Sequence, residues 1–255
     1  MDQPTSANQT GSKTETKVNI FKALWMRPNK LTSTDIVPLF SECVHKAANR
    51  TREYLLFIDP ENIFQPSQAT LSQVFLMTYI QRSSQLGLPE VFNCTTMTPE
   101  QRILLGADWV WAVLDLPSKN PRIQVAVHVL HPAEGGEEER SWDLSSEALT
   151  ETMRMAGEEV ADRTKAERLV EFCASVGRDC YALFLFLGRK TDPANIYGVL
   201  SNNLDAVIGK YVQINEGFIE NFFKGARCFI TPSGMLQSII NKTNNNPLTM
   251  LIKFT

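Results

Sequence analysis

The stretch from Thr98 to Leu116 constrains this chain more than any other. Thr98 is an N-cap residue, Pro99 fits the first turn of a helix because its missing N–H is not needed there, and Gln101 completes a capping box. Apolar side chains then recur three and four residues apart, at Ile103, Leu104, Ala107, Val110, Trp111 and Leu114. The pattern predicts a helix whose apolar face, about half its width, must be covered by other elements.

Length and composition are those of an ordinary globular protein. The chain has 255 residues, of which 43% are hydrophobic and 21% charged, so it can bury a sizeable core. A net charge of -3 and a pI of about 5.7 argue against a nucleic-acid-binding protein, which gathers a basic excess on one face. We therefore expect no nucleic acid among its partners.

The N-terminal segment is polar and too poor in apolar residues to offset the entropy of ordering. We predict a disordered or loosely packed tail over residues 1–34, with a short amphipathic piece between Lys17 and Lys30, and a single domain over 35–255. No run approaches the length of about 18 apolar residues that a membrane span needs. Asp2 excludes the Met-Gly start required for N-myristoylation.

Two helices are predicted before the opening stretch. The first begins at its cap, Asp35, and stops at Asp59–Pro60, with an apolar stripe that reaches Ile58. The second runs from Ser67 to Leu86–Gly87 and is apolar nearly all round in its middle, as in a helix buried on most sides. Together with the helix that starts at Thr98, they are expected to form an antiparallel layer.

Strands are predicted at three places. Arg122–Leu130 alternates, so one face is buried and His128 lies on the polar side. The continuous apolar run Tyr181–Leu187 fits a strand buried on both faces better than a helix. Leu248–Phe254 is predicted as a terminal strand.

The remaining segments read as helices: 145–155, 162–176 ended by Gly177, one capped by Asp192–Pro193 that reaches Val207, 215–224, and one from Thr231–Pro232 through Ile240. These predictions give an α+β fold class, a single, predominantly helical domain with a small β-sheet.

Motifs of common enzymes are absent from the sequence. It has no P-loop, GxGxxG, HExxH or GxSxG pattern, and we expect no catalytic residue, no cofactor and no metal site. The cysteines are odd in number and form no CxxC pair, so neither a disulfide framework nor a zinc site is predicted; they are Cys43, Cys94, Cys173, Cys180 and Cys228. Asp108 interrupts the apolar pattern, and a buried carboxylate there must be paired or protonated, so we expect a structural role for it, by capping or by pairing with a neighbouring segment. Trp109 and Trp111 would point about 200° apart on a helix, which is a weak indication of a second interface, and burial of both in the core is the alternative.

Three segments carry a resemblance to a known family. LLGADWVWAV at 104–113, IQVAVHVL at 123–130 and LVEFCASVGRDCYALFLFLG at 169–188, in that order and spacing, resemble the Rab-15 effector protein family of vertebrates. The similarity runs from about Asp35 to the C-terminus.

The resemblance implies a non-enzymatic effector that binds a GTP-bound Rab GTPase, Rab-15 or a relative. It implies action in recycling of receptors of the transferrin-receptor type from the endocytic recycling compartment. The protein is then expected to be cytoplasmic and recruited to recycling endosomes, with membrane association indirect through the Rab. Selectivity for GTP follows because the γ-phosphate orders the switch segments of the GTPase.

The anchors predicted for that partner lie in the C-terminal helical region, which is rich in large apolar residues on short helices: Phe218, Phe222, Met235 and Ile239. Core packing of the same residues is the alternative. Two other functions stay open. One is a cysteine-dependent hydrolase or transferase that uses Cys180 or Cys228, and the other is a peripheral membrane module that uses residues 18–26.

Overall fold

A computed structural model describes residues 33–130, 151–152, 154, 163–189, 191–204, 206, 213–242 and 246–255. Residues 1–32 of the predicted tail, the apolar segment within them and all but three residues of the predicted helix at 145–155 lie outside these ranges. Two helices precede the sheet, α1 (Ser33–Leu55) and α2 (Gln68–Gln85), and they pack against each other.

A six-stranded sheet is the central element of the described residues, with its strands in chain order. The strands are β1 (Phe92–Thr96), β2 (Trp109–Leu114), β3 (Pro121–Leu130), β4 (Cys180–Arg189), β5 (Asp192–Ser201) and β6 (Thr249–Phe254). Neighbouring strands are antiparallel except β3 and β4. A parallel pair needs a long crossover, and this one contains α4 (Lys165–Val176), which packs on both strands.

Helices cover both faces of the sheet. On one face, aromatic side chains of α1 and α2 meet those of β2: the Phe40 and Trp111 rings lie 5.3 Å apart, and those of Phe75 and Trp109 5.9 Å apart. A late helix, α6 (Pro232–Ile240), packs on α1 and β6 at the same face. On the other face, α4 and the short helix α5 (Glu216–Glu220) cover a second buried cluster.

The helix predicted over 98–116 is confirmed only in its first part. Its capping box is present, but this helix, α3 (Pro99–Leu105), ends at Gly106, whose φ of 67° terminates a helix. The following residues form β2, paired with β1 and β3. Trp109 and Trp111 are therefore two apart on a strand and lie on the same buried face, so the inference of a second interface from them is wrong.

The largest error lies in the fold class, because the domain is not predominantly helical. Asp192–Val207 was predicted as a helix, yet Asp192–Ser201 is β5, which pairs with β4 and β6. Phe92–Thr96 carries no strong pattern and forms β1. The three-helix layer is replaced by α1 and α2 alone, because the third helix is short and α3 packs on α4 instead.

Helix termini and several strands follow the predictions. Ser67, Asn215 and Thr231 each accept a hydrogen bond from the backbone three residues on. Helix α1 begins at Ser33, before the predicted cap Asp35, and α4 is capped by Thr164. β3, β4 and β6 lie where predicted, although β3 is buried on both faces from Val125 onward.

Candidate interaction surface

The structure brings Phe218 and Phe222 together. Asn215 caps α5 by accepting from the Phe218 N–H at 2.9 Å, and one turn of helix places the two rings 5.6 Å apart, edge to face. Both side chains are half-buried against the cluster under α4 and α5. Their neighbour Phe223 is buried, and its ring lies 5.3 Å from that of Phe186.

Met235 and Ile239 lie elsewhere. Both are buried on α6, which packs on α1 and β6 at the opposite face of the sheet from Phe218 and Phe222. The four predicted anchors thus form two separate pairs. Contact of these residues with a partner stays a prediction, and the half-buried pair Phe218 and Phe222 is the one that reaches the surface.

A different apolar group is exposed in the segment between α1 and α2. We call residues 56–64 the apolar loop. Its most exposed apolar residues are Ile58, Ile63 and Phe64, at 84%, 81% and 62%, and Leu56 and Phe57 are also exposed. The Phe57 and Phe64 rings lie 6.0 Å apart, edge to face, so the two ends of the loop contact each other through side chains that water still reaches.

Asp59 determines the shape of the apolar loop. Its Oδ2 accepts hydrogen bonds from the Ile63 and Phe64 N–H groups, both at 2.8 Å, and its Oδ1 accepts one from Glu61 at 3.2 Å. These backbone donors favour the charged carboxylate and lower the pKa of Asp59. Asn62 takes the left-handed conformation, with φ of 54°, that the turn requires.

The apolar loop is anchored beside the turn between β4 and β5. In the last turn of α1, Arg52 Nε donates to the Ala194 carbonyl at 3.1 Å. A Cβ placed on Gly188 would lie 3.6 Å from Leu55 Cδ2, so α1 ends against the hairpin. On the other side of the same hairpin, Arg189 lies 3.7 Å from Glu220 of α5. The apolar loop and the Phe218–Phe222 pair therefore flank one hairpin.

Comparison with known proteins places the chain in a family. The family model described as Rab15 effector matches residues 26–250. The chain belongs to the Rab15 effector family. A mouse relative, the Rab15 effector protein, is 34% identical over 160 residues, a match that spans 63% of this chain and 65% of the mouse protein. The resemblance stated from the sequence is thereby confirmed.

In this Rab15 effector family member, sequence periodicity fails to identify the apolar loop. It places Ile58 on the buried stripe of α1, yet the helix ends at Leu55 and Ile58 is exposed. The sequence does contain a signal for this loop, since five large apolar residues surround the helix stop at Asp59–Pro60. Apolar residues next to a helix stop cannot pack as part of the buried face of that helix.

A second exposed apolar pair lies on α2. Met77 and Ile80 are 61% and 40% exposed, so the prediction that this helix is buried on most sides is wrong. Its inner face holds Leu71, Phe75 and Tyr79. Helix α2 is thus buried on one side only, and the side chains on its exposed side are mostly uncharged.

The polar pair Asp108–His128 is structural. Asp108 Oδ2 lies 3.2 Å from His128 Nδ1 and accepts from the Val129 N–H at 2.8 Å, which confirms the expected pairing of Asp108. His128 is buried rather than on a polar face, because β3 is covered on both sides. The pair joins the start of β2 to β3.

The thiol pKa values of three cysteines lie above their usual value. Burial raises the pKa of Cys43 to about 11 and that of Cys94 to about 12. A hydrogen bond with Cys180, together with burial, raises the pKa of Cys173 well above its usual value. An activated thiol needs the opposite shift. Among the described residues no cluster of potential metal ligands is found, and none of their helices is long and apolar enough to cross a membrane.

Proposed function

We propose that this protein is an effector that binds Rab15, or a related Rab GTPase, in its GTP-bound form. The observation that carries the proposal is the family match over residues 26–250. The name of the mouse relative supports the same partner. In this role the protein is cytoplasmic, is recruited to recycling endosomes through the Rab and acts in receptor recycling from the endocytic recycling compartment.

The physical requirement for such a role is a rigid surface that distinguishes two states of the GTPase. The γ-phosphate and its magnesium ion order the switch segments, and hydrolysis releases them. An effector that packs on ordered switches gains binding energy only in the GTP state. Interfaces of this kind bury about 1,200–2,000 Å² and depend on a few large apolar anchors.

The decisive test is binding of the full chain to a panel of Rab GTPases, each loaded with a non-hydrolysable GTP analogue or with GDP. We expect one or a few Rabs, Rab15 among them, to bind in the GTP form and not in the GDP form. Equal binding to both nucleotide states, or none across the panel, would contradict the proposal.

Phe218 and Phe222 remain candidates for contact with the Rab. Phe218 on α5 and Phe222 in the turn that follows it are both half-buried, and their rings are in edge-to-face contact, so their outer edges can pack on a partner. The double substitution Phe218→Ser with Phe222→Ser is expected to weaken binding to the GTP form. Circular dichroism of the same variant separates loss of contact from loss of fold.

A further inference from the structure

We infer that the apolar loop, residues 56–64, docks on the apolar switch surface of the GTP-bound Rab GTPase. The inference rests on the proposed function and adds to it the surface of this chain that makes the contact. It depends on the exposure of the loop, its fixed shape, its charge and its place beside α5.

Exposure is the first step. The five large apolar side chains of the loop lie within nine residues, and Ile58 and Ile63 leave most of their surface in water. Scattered exposed apolar residues are ordinary on a protein surface, but a contiguous group marks an interaction site. The Phe57–Phe64 ring contact joins the group into one surface.

The fixed shape of the loop lowers the cost of binding. Three backbone N–H groups converge on the Asp59 carboxylate, so the turn that carries Ile63 and Phe64 is set before a partner arrives. A preorganised segment loses less conformational entropy on docking than a mobile one.

Charge identifies the class of occupant. The apolar loop contains two charged side chains, Asp59 and Glu61, and both are acidic. Anionic lipid headgroups would repel them, whereas a membrane-binding apolar loop is normally accompanied by lysine or arginine. The loop instead complements a protein surface that is apolar with cationic side chains at its rim.

The position of the loop connects it to the predicted anchors. Arg52 and Leu55 attach its first end to the hairpin between β4 and β5. Arg189 of that hairpin pairs with Glu220 of α5, the helix that carries Phe218 and is followed directly by the turn that carries Phe222. The end of α1 that leads into the loop and the helix before the second apolar pair are thus both joined to this hairpin, from opposite faces of the sheet.

A matched pair of substitutions tests the inference. Phe64→Ser in the loop and Met77→Ser on α2 remove apolar side chains from residues that are 62% and 61% exposed. We expect Phe64→Ser to weaken binding of the full chain to Rab15 loaded with a non-hydrolysable GTP analogue at least tenfold, and Met77→Ser to leave it within about twofold. The double variant Ile58→Ser with Ile63→Ser guards against misfolding, because both residues are almost fully exposed, and we expect it also to lose at least tenfold.

Each other outcome overturns the inference. If the wild type binds Rab15 and both loop variants bind equally well, the contact lies elsewhere and the proposed function stands. If Met77→Ser alone loses binding, α2 is the interface. If the wild type binds no GTP-loaded Rab, the proposed function fails as well. If the wild type binds vesicles of phosphatidylserine and phosphatidylcholine, and Phe64→Ser abolishes that binding, the loop is a membrane anchor.

Discussion

The guanidinium carbon of Arg189 lies 4.1 Å from the centre of the Phe223 ring. The Arg189 side chain is 14% exposed and also pairs with Glu220, so one residue at the tip of the β4–β5 hairpin holds the helical segment that carries Phe218 and Phe222. We expect Arg189→Met to lower the free energy of unfolding by about 1 kcal/mol, because a partly desolvated cation–π contact is lost. Urea denaturation measures the change.

A matched control for Arg189 is available on α1. Arg50 lies over the Tyr54 ring at 5.1 Å and pairs with Glu53, but its side chain is exposed. Arg50→Met should change the free energy of unfolding by less than about 0.5 kcal/mol. Equal effects of the two substitutions would mean that burial of Arg189 at the hairpin adds nothing to the free energy of unfolding.

Gly106 is expected to tolerate no side chain. Its φ is +67°, and a Cβ there would lie 2.0 Å from the Lys165 carbonyl oxygen in the first turn of α4. Gly87 has nearly the same φ, +65°, with nothing within 4 Å of its Cβ position. We expect Gly87→Ala to cost about 1 kcal/mol through backbone strain alone, and Gly106→Ala to cost about 3 kcal/mol or more because strain and overlap add. Thermal unfolding of both variants checks the difference, and similar melting temperatures would contradict it.

Asp108 is expected to make stability dependent on acid pH. Burial opposes its ionisation, but the bonds from His128 and Val129 and the charge of Lys165 outweigh burial and hold the pKa of Asp108 below its ordinary value of about 3.9. Since the folded pKa is lower than the unfolded one, this stabilisation is complete above about pH 4 and is lost as the pH falls through the folded pKa.

The test compares Asp108→Asn with the wild type by urea denaturation at pH 7 and pH 3. We expect the substitution to cost about 2 kcal/mol at pH 7 and less at pH 3, which is below the ordinary pKa of about 3.9 that the carboxyl has in the unfolded chain. Asp115→Asn, at an exposed residue 3.7 Å from Arg122, serves as the control and should cost little at either pH. A penalty for Asp108→Asn that does not shrink with acid would argue against an ionised Asp108 carboxylate in the folded protein.

Cysteine alkylation should separate one thiol from the other four. Cys228 is exposed, Cys43, Cys173 and Cys180 are buried, and the pKa of the half-buried Cys94 is about 12. With iodoacetamide near pH 7.5 we therefore expect Cys228 to react first and the others to react at useful rates only in denaturant. Mass spectrometry after a time course identifies the sites. Rapid modification of Cys180 in the folded chain would revive the alternative of a cysteine-dependent hydrolase or transferase.

Asp59 is expected to control binding without contributing much to the fold. Asp59→Ala removes the acceptor of three backbone N–H groups in an exposed loop, so the loop becomes mobile and must be ordered on docking. We expect affinity for GTP-loaded Rab15 to fall about three- to tenfold with little change in melting temperature. Asp59→Asn keeps an acceptor oxygen and should retain most of the affinity; calorimetry of all three proteins checks the order. An Asp59→Ala variant that binds as well as the wild type would show that the loop needs no preorganisation.

Helix starts were readable from the sequence because capping is local. The side chains of Ser67, Thr98, Asn215 and Thr231 each accept from a backbone N–H three residues later, so both partners of the bond lie in one short window. The family resemblance is equally a property of the chain itself. It follows from the identity and order of segments such as 169–188, and it needed no knowledge of how they fold.

What the sequence by itself determined is therefore the caps at these four positions, the strands β3, β4 and β6, and the family. The tertiary structure decided the rest. Trp109–Leu114 and Asp192–Ser201 have helix-compatible spacings, but they are strands because their hydrogen bonds are made to residues of other strands, and a window along the chain does not contain those partners. The tertiary structure also decided which large apolar residues are exposed to solvent. Ile58 and Met235 are both large apolar residues, and the packing of α1 and α6 on the sheet leaves the first in water and buries the second.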